Sequence, residues 1–400
     1  MSDPIDPLRR QLLGGLAVTA TAAGVAGATA QASEARSPSS TASPPDARVL
    51  GLQGYYACAL QLLVDGVNPD TSRESARARM QATLERVDAA IEGTRRWIGS
   101  DLRLVVLPEY FLTGFPWGES IPAWSDKAAL APDGPEYERL GRTAAKHGLY
   151  LAGNAYETDA NFPGLYFQAS FVVAPSGAIV LRYRRLVSLF APTPHDVWDR
   201  YLELYGLDGV FPVARTELGA LACIASEEIL YPEIARCHAM RGAEILLHSS
   251  SEAHAATLTP KRIARMARAL ENLCYLVSAN SGGVRGPNIP ADSANGGSAI
   301  VDYLGNVIVE SGTGDTITAQ GRLDLAGLRE YRRRPGMGNL LSRQAFDLYA
   351  GSYAAADFRR RNGLWRDGRV VVPERSYFVE AQRDTLARLT AGGIIAGVGR

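Results

Sequence analysis

The sequence predicts an α/β domain, because strand-like and helix-like segments alternate along most of the chain. Short apolar runs bounded by Gly, Pro or Asn alternate with segments whose apolar residues recur every three to four positions. Of the 400 residues, 46% are hydrophobic and 21% charged, the composition of a globular chain long enough for one large domain. The sequence has no repeat at a fixed short period, which argues against a solenoid.

Continuous apolar runs predict the strands, since strands of a sheet covered on both faces are apolar throughout. They fall at residues 49–63, 104–107, 149–154, 169–174, 178–183, 218–225, 245–248 and 274–279, with a hairpin at 299–309 that turns at Leu304-Gly305-Asn306. Helical spacing predicts helices at residues 73–97, 136–147, 232–241 and 263–271. The stretch after Gly327 is rich in Arg, Tyr and Gly and has no strong period, so we interpret residues 329–400 as a C-terminal extension, by composition an oligomerisation segment.

The N-terminal segment has the order of an export signal. Arg9-Arg10 precedes a weakly apolar stretch that ends in small residues near Ala30-Gln31-Ala32, and residues 1–32 therefore resemble a twin-arginine signal. The apolar part is too short and too weakly hydrophobic for a stable membrane span. An Ala-rich terminus without a signal function is the alternative. Residues 33–47, rich in Ser, Pro, Ala and Thr, predict a flexible linker, so an exported, periplasmic or extracellular domain would span residues 48–328.

Charge and metal-ligand spacing exclude several classes of function. Basic and acidic residues both total 42, and a net charge of zero gives no field that would attract nucleic acid. The four cysteines have no C-x-x-C pair and the five histidines have no H-E-x-x-H spacing, so neither a disulfide framework nor a metal site is predicted. Both Gly-rich phosphate-binding motifs are absent, and no cofactor is implied.

Three strand ends carry side chains suited to acyl transfer. Glu109 follows the apolar run of residues 104–107 and Pro108, where burial can raise a carboxylate into the range of a general base. Arg185 ends the strand of residues 178–183 with a cation, and Ser226 stands where another strand meets a helix, a position that exposes a nucleophile near backbone N–H donors. Each residue alone has a plainer interpretation: a turn carboxylate, a solvated basic run and a helix-capping hydroxyl.

Together, in this order, the three segments resemble the nitrilase superfamily of carbon–nitrogen hydrolases. They are residues 104–114 (LVVLPEYFLTG), 176–186 (SGAIVLRYRRL) and 219–236 (GALACIASEEILYPEIAR). Residues 268–272 (RALEN), 277–282 (VSANSG) and 296–302 (GGSAIVD) resemble later segments of that family. The resemblance implies a four-layer α-β-β-α sandwich, a small amide or nitrile as the ligand, and a homodimer or larger homo-oligomer.

The resemblance also implies a catalytic Glu, Lys and Cys, and two of the three positions differ here. Glu109 matches the general base, whereas Arg185 stands at the lysine position and Ser226 at the cysteine position, six residues before Pro232. Cys223 lies three residues too early and is expected inside the strand. The family's second glutamate has no match between residues 190 and 195, which leaves Asp196 and Glu203 as candidates.

The two differences weaken the expected chemistry, because a serine hydroxyl ionises far less readily than a thiol and an arginine is larger and differently shaped than a lysine. Two functions therefore remain open. One is an amidase-type hydrolase with an altered Glu109, Arg185 and Ser226 site. The other is a non-catalytic relative that binds a small ligand or acts in assembly, with Glu109 and Arg185 as a structural ion pair. A Ser-His-Asp hydrolase is not favoured, because G-x-S-x-G is absent.

Overall fold

The computed structural model describes residues 54–253, 255 and 258–396. The predicted export signal and linker lie outside the described residues. Two β-sheets pack face to face, and helices cover the outer face of each sheet. This is the predicted four-layer α-β-β-α sandwich.

The first sheet has the strand order β10-β1-β2-β3-β4-β5, with β13 also paired to β1. Its strands are β1 (Tyr55–Asp65), β2 (Leu102–Val106), β3 (Tyr150–Thr158), β4 (Tyr166–Val173), β5 (Ile179–Arg184), β10 (Ser281–Arg285) and β13 (Ile317–Leu323). Strand β1 runs parallel to β2 and β10, and β2 runs parallel to β3. Parallel strands deliver their carboxyl ends to one edge of the sheet, and β2 brings Glu109 to that edge.

The second sheet has the strand order β12-β11-β9-β8-β7-β6. Its strands are β6 (Ala214–Thr216), β7 (Gly219–Ala225), β8 (Ile245–Ser249), β9 (Tyr275–Ala279), β11 (Ala299–Val301) and β12 (Val307–Glu310). Strands β7, β8 and β9 are parallel neighbours. The predicted hairpin is confirmed, since β11 and β12 pair antiparallel and Gly305 takes φ 84° in the turn.

Two pairs of helices form the outer layers. The helices are α1 (Arg73–Ile98), α2 (Ile121–Ala128), α3 (Pro135–His147), α4 (Trp198–Val210), α5 (Pro232–Met240), α6 (Pro260–Asn272), α7 (Leu325–Arg333), α8 (Asp347–Ala355) and α9 (Ser376–Ala391). Helices α1 and α3 pack on the first sheet, and α5 and α6 pack on the second. A short two-stranded ribbon, β14 (Trp365–Arg366) with β15 (Arg369–Val370), lies in the C-terminal segment.

Helix α1 shows why the sequence folds as predicted at this point. Ser72 caps its first turn, with the Ser72 hydroxyl accepting a hydrogen bond from the Ser75 N–H. Met80, Leu84 and Val87, three to four positions apart, are buried against the first sheet. The face of α1 that packs on the sheet is therefore the apolar face that the sequence pattern predicts.

The C-terminal segment contains helices although its sequence has no strong period. Helix α7 spans the predicted domain boundary at residue 328. Helix α9 has one buried side chain, Phe378, so a weak apolar pattern accompanies a helix that is mostly exposed. Leu364, 1% exposed, joins an apolar cluster with Phe162 and Tyr201 of the main domain. The extension is thus packed onto the domain.

Across the described ranges, no helix combines the length and apolar character that crossing a bilayer requires. Cys58, Cys223 and Cys274 are buried, and their thiols are not paired in disulfides. Cys223 lies inside β7, as predicted. Each therefore acts as a small apolar core residue, and burial raises the pKa of Cys58 to about 12.

Candidate active site

The three predicted site residues lie together around one cavity of about 300 Å³. Glu109 follows β2 and Arg185 follows β5 in the first sheet, while Ser226 follows β7 in the second. All three side chains are buried, with exposed fractions of 2%, 6% and 5%. The face-to-face packing of the sheets therefore joins residues that are 41 to 117 positions apart in the sequence.

Ser226 has a strained backbone at the point where β7 ends. Its φ of 49° lies in the left-handed region, which is uncommon for a residue other than glycine. The carbonyl oxygen of Ser226 accepts a hydrogen bond from His248 Nε2 at 2.8 Å, and His248 Nδ1 lies 2.8 Å from Ser278 Oγ. Burial lowers the pKa of His248 well below its ordinary value, so the ring is neutral. A neutral histidine thus fixes the turn.

The hydroxyl of Ser226 contacts Lys261, a residue that belongs to none of the predicted site motifs. Lys261 Nζ lies 3.1 Å from Ser226 Oγ and 3.5 Å from Ser250 Oγ. Lys261 occupies the first turn of α6 and lines the same cavity. Burial, with smaller effects from Arg265 and Arg185, lowers the pKa of Lys261, and the opposing attraction of Glu109 does not reverse this direction. The amine is therefore more easily deprotonated than an ordinary lysine.

Glu109 and Arg185 form the predicted ion pair, with 3.2 Å between Glu109 Oε1 and Arg185 Nη1. Gln168 links the two, since its Nε2 donates to Glu109 Oε1 at 2.8 Å and its Oε1 accepts from Arg185 Nη1 at 2.5 Å. Arg185 also donates to the Val187 carbonyl oxygen and pairs with Glu227. Burial opposes the charge on Arg185, but the surrounding carboxylates outweigh it and raise the guanidinium pKa. Arg185 is therefore a fixed cation and cannot act as a base.

Glu228 follows the cavity-lining Glu227 in the chain and is a fully buried carboxyl group. It accepts hydrogen bonds from the Tyr183 hydroxyl at 2.7 Å and from the backbone N–H groups of Leu186 and Val187 at 2.6 and 3.0 Å. Burial raises the pKa of Glu228 to about 7 in spite of these donors and of nearby Arg185. Its contacts tie the turn after β7 to the segment after β5, which holds Ser226 and Arg185 in register.

The two candidates for a second glutamate lie away from the cavity lining. Asp196 accepts from Thr193, Arg359 and Tyr377, which anchors the C-terminal segment. Glu203 is an exposed partner of Arg200. Both candidates are therefore wrong as site carboxylates. Glu227 lines the cavity with Glu109 instead, and the family's spacing did not indicate it because Glu227 stands next to Ser226 and not near residue 193.

Sequence features at Lys261 could have pointed to it. The chain has three lysines among its 42 basic residues, and one follows Thr259-Pro260, a helix-start signature. A cation in the first helical turn opposes the helix dipole and suggests a tertiary partner. The predicted start of this helix at residue 263 is wrong, because α6 begins at Pro260 with Thr259 as its cap. Within the described ranges, no cluster of three or more metal-ligating side chains occurs.

Comparison with known proteins agrees with this architecture. Residues 72–333 match the model of the carbon–nitrogen hydrolase family, and the chain belongs to that family. It is 27% identical to a 2-oxoglutaramate amidase of Bacillus subtilis over 229 residues, and this alignment covers 57% of this chain and 81% of the relative. It is 24% identical over 253 residues to the omega-amidase NIT2 of Mus musculus, covering 62% and 84% respectively.

Solved structures share the fold at lower sequence identity. A carbon–nitrogen hydrolase from Helicobacter pylori G27 superposes with a TM-score of 0.55 at 22% identity, over 75% of this chain and 98% of that one. This likeness shows that the two chains share the same fold.

Proposed function

We propose that this chain is an amidase-type hydrolase in which Ser226 is the nucleophile and Lys261 is its general base. The observation that carries the proposal is the 3.1 Å separation of Lys261 Nζ from Ser226 Oγ inside the cavity. A serine needs a base within hydrogen-bonding distance to attack an amide. The lowered pKa of Lys261 favours the neutral amine that can serve as that base.

The resemblance places Ser and Arg where the family has Cys and Lys, and the geometry supports a compensation for both changes. The amine enters the cavity from the start of α6, whereas the family's lysine would come from the segment that ends at Arg185. Glu109 cannot serve Ser226 freely, because Gln168 and Arg185 both donate to its Oε1. Lys261 is therefore the better-placed proton acceptor, and Ser-Lys pairs of this kind occur in other hydrolases.

In the acylation step, Ser226 Oγ attacks the carbonyl carbon of the amide while its proton passes to Lys261 Nζ. The negative charge that develops on the carbonyl oxygen is stabilised by the nearby Arg185 guanidinium. When the tetrahedral intermediate collapses, the C–N bond breaks and Lys261 returns the proton to the leaving nitrogen, so that a primary amide releases ammonia.

In the deacylation step, water attacks the acyl-Ser226 ester. Lys261 accepts the proton of the water, the bond between the acyl carbon and Ser226 Oγ breaks, and the proton returns to Oγ as the carboxylic acid leaves. Glu109 supports both steps electrostatically. Burial lowers the pKa of Lys261, and the negative charge of Glu109 opposes this effect and limits the decrease. The balance brings the amine toward the working range of a general base.

The relatives support an amide as the substrate, since the Bacillus subtilis and Mus musculus proteins carry the names of amidases. The competing proposal is a ligand-binding protein without turnover. The several hydrogen bonds of Arg185 favour this second proposal, because a buried Glu109–Arg185 ion pair can hold a pocket together in a protein that has no catalytic activity.

The test is ammonia release by the mature protein from small amides, carbamoyl amino acids and nitriles, beside the variants Ser226→Ala and Lys261→Met. We expect turnover of amides in the parent and a loss of about 100- to 10,000-fold in kcat/KM in Lys261→Met, the usual contribution of a general base. Lys146→Met is the matched control, because Lys146 is paired with Asp88 on the surface.

Each outcome separates the proposals. Turnover that survives in Ser226→Ala would overturn the serine mechanism. An inactive parent whose Ser226→Cys variant releases ammonia would identify an intact pocket without a working nucleophile. An inactive parent and inactive variants, with a bound amide detected by calorimetry, would establish the binding protein.

We also propose that residues 1–32 direct export and that the mature chain is a homodimer or larger. The order of charged, weakly apolar and small residues supports the first proposal. Replacing Arg9 and Arg10 by lysine should then retain the protein in the cytoplasm, and light scattering of the mature chain should give at least twice the mass of one chain.

A further inference from the structure

A second, larger cavity of about 750 Å³ adjoins the candidate active site. Ser188 and Glu227 line both cavities, so the two spaces share a wall. The segment after β5 passes from one cavity to the other: Leu189 lines the larger cavity, and Phe190 and Ala191 line the smaller one. The two cavities are therefore neighbours, and a molecule with its amide group at Ser226 would reach the larger one past Ser188 and Glu227.

The walls of the larger cavity are mainly apolar and come from several parts of the fold. They include Val187 after β5, Trp198 of α4, Phe211 after α4, Ile234 of α5, and Phe378 and Leu389 of α9. Phe358, Tyr231 and Leu189, which also line it, keep exposed fractions of 47%, 42% and 36%. Large apolar side chains left exposed around a concavity mark a ligand site more often than an ordinary surface.

The charged groups around this cavity are largely neutralised. Arg359 donates to Asp196 at 2.9 Å, and Glu227 pairs with Arg185. Burial lowers the pKa of His195 and so favours its neutral form. Glu233, exposed and bonded to the Tyr353 hydroxyl, leaves a negative charge beside the cavity. These walls suit a neutral apolar group and disfavour a carboxylate.

We propose that the preferred substrate is an amide with a long, uncharged apolar substituent, which lies in the larger cavity while the C–N bond lies at Ser226. This rests on the proposed function and names its substrate class. A cavity of about 300 Å³ alone is enough for a small amide, so the additional 750 Å³ of apolar space is explained by a larger substituent. The substituent is either the acyl chain or a group on the nitrogen.

The experiment measures kcat/KM for primary amides from acetamide to decanamide and, separately, for N-alkylacetamides of the same lengths. Burial of each further CH₂ should raise kcat/KM by up to about fourfold until the cavity is full. A rise in the first series alone assigns the larger cavity to the acyl chain, and a rise in the second alone assigns it to the nitrogen substituent. No dependence on length in either series, with acetamide turned over, would overturn the proposal and leave the proposed hydrolase intact.

A filling variant locates the effect in the structure. Thr385 of α9 lines the cavity, and its hydroxyl donates to the Ala381 carbonyl oxygen within the same helix. Thr385→Trp should lower kcat/KM for the preferred long amide at least tenfold more than it lowers kcat/KM for acetamide. Leu386→Trp is the matched control, because Leu386 is 46% exposed and is not part of the cavity lining. Equal effects of the two variants would contradict the assignment.

Binding provides a readout that does not depend on turnover. Calorimetry with Ser226→Ala should show that octanamide, or its N-alkyl counterpart, binds at least tenfold more tightly than acetamide, and Thr385→Trp introduced into this variant should remove the difference. If no amide is turned over but this preference is found, the proposed hydrolase fails and the apolar site stands. If neither long amide binds more tightly than acetamide, the proposal fails. Occupation of the cavity by a second copy of the chain would give the same result.

Discussion

Ser226 and Glu228 lie in the turn after β7, and Lys261 reaches this turn from the start of α6. Ser226 has a left-handed backbone, Lys261 has a lowered pKa and Glu228 has a raised one. Burial is the largest cause of both shifts, and it acts in opposite directions because it favours the neutral form of each group. Two groups that tend toward neutrality near the same serine suggest two pH-dependent measurements.

The first measurement is the pH dependence of amide turnover. Because the proposed base is the neutral amine, kcat/KM should fall as the pH falls through the pKa of Lys261 and should level off above it. The midpoint should lie below the ordinary lysine pKa of about 10.4. In Lys261→Arg, which stays protonated, this limb should disappear and activity should be lost across the range. An unchanged limb in that variant would assign the titration to another group.

The second measurement is the pH dependence of stability at Glu228. Its pKa of about 7 in the folded chain lies above its ordinary value of 4.5, so the folded state binds this proton more tightly. The stabilisation is present below about pH 4.5 and is lost as the pH rises through 7. Glu228→Gln should therefore gain about 3 kcal/mol in free energy of unfolding relative to the parent between about pH 4 and pH 8.

Denaturant titrations of both proteins at several pH values would measure this gain. Glu138→Gln, at an exposed position of α3, is the control and should show no comparable change. A constant difference between Glu228→Gln and the parent across the range would mean that Glu228 does not titrate differently in the folded chain.

At the scale of elements, α7 is held to the second sheet by paired charges. Arg329 donates from Nε and Nη2 to the two carboxylate oxygens of Glu244 at 2.6 and 2.9 Å, and Glu244 Oε2 also accepts from the Ala220 N–H at 2.9 Å. Arg332 donates to the carbonyl oxygens of Leu273 and Ala243. These contacts satisfy backbone carbonyl groups next to β8 and β9 and fix the start of the C-terminal segment.

Removing Arg329 should destabilise the fold, because it leaves a largely buried carboxylate without its cation. We expect Arg329→Gln to lower the free energy of unfolding by about 1–3 kcal/mol, measured by chemical denaturation. Arg333→Gln, an exposed neighbour on the same helix, should change it by less than about 0.5 kcal/mol. Similar values for both variants would show that the Glu244 pair contributes little.

At the scale of the whole molecule, the C-terminal extension is part of the folded body and of the proposed substrate cavity. Leu364 and Phe378 are 1% and 2% exposed, and Arg375 donates to the carbonyl oxygens of Glu119 and Phe190 at 2.6 Å. Phe190 lines the smaller cavity, so this arginine connects the extension to the candidate active site. The extension therefore contributes to stability as well as to the shape of the site.

A chain that ends at Arg334 should lose the burial of Leu364 and Phe378 and uncover the main-domain surface that they contact. At about 1.5–3 kcal/mol for each buried side chain, the loss should be at least about 3 kcal/mol. Calorimetry should show a lower Tm, and an apolar dye should bind the shortened protein. A chain that ends at Ala391 is the control and should unfold as the parent does.

Local pattern was enough to predict much of this molecule. The alternation of apolar runs with helical spacing gave the order of most strands and helices, because burial on one face or both leaves a periodic trace in the sequence. The motifs around Glu109, Arg185 and Ser226 predicted three residues that the sandwich brings to one cavity. Helices α2, α4, α7, α8 and α9 were missed, since short or largely exposed helices leave a weaker trace.

Other features depend on which surfaces meet, which the tertiary structure decides. Lys261 is 35 residues from Ser226 in the sequence, and a lysine at the start of a helix can be either a solvated cation or a buried amine. The packing of α6 against the turn after β7 decides this, because it brings Lys261 to Ser226. The larger cavity forms where α9 faces α4 and α5, elements about 150 residues apart in the chain. Sequence periodicity specifies the apolar face of an element, whereas its partner across the domain follows from the packing of the whole chain.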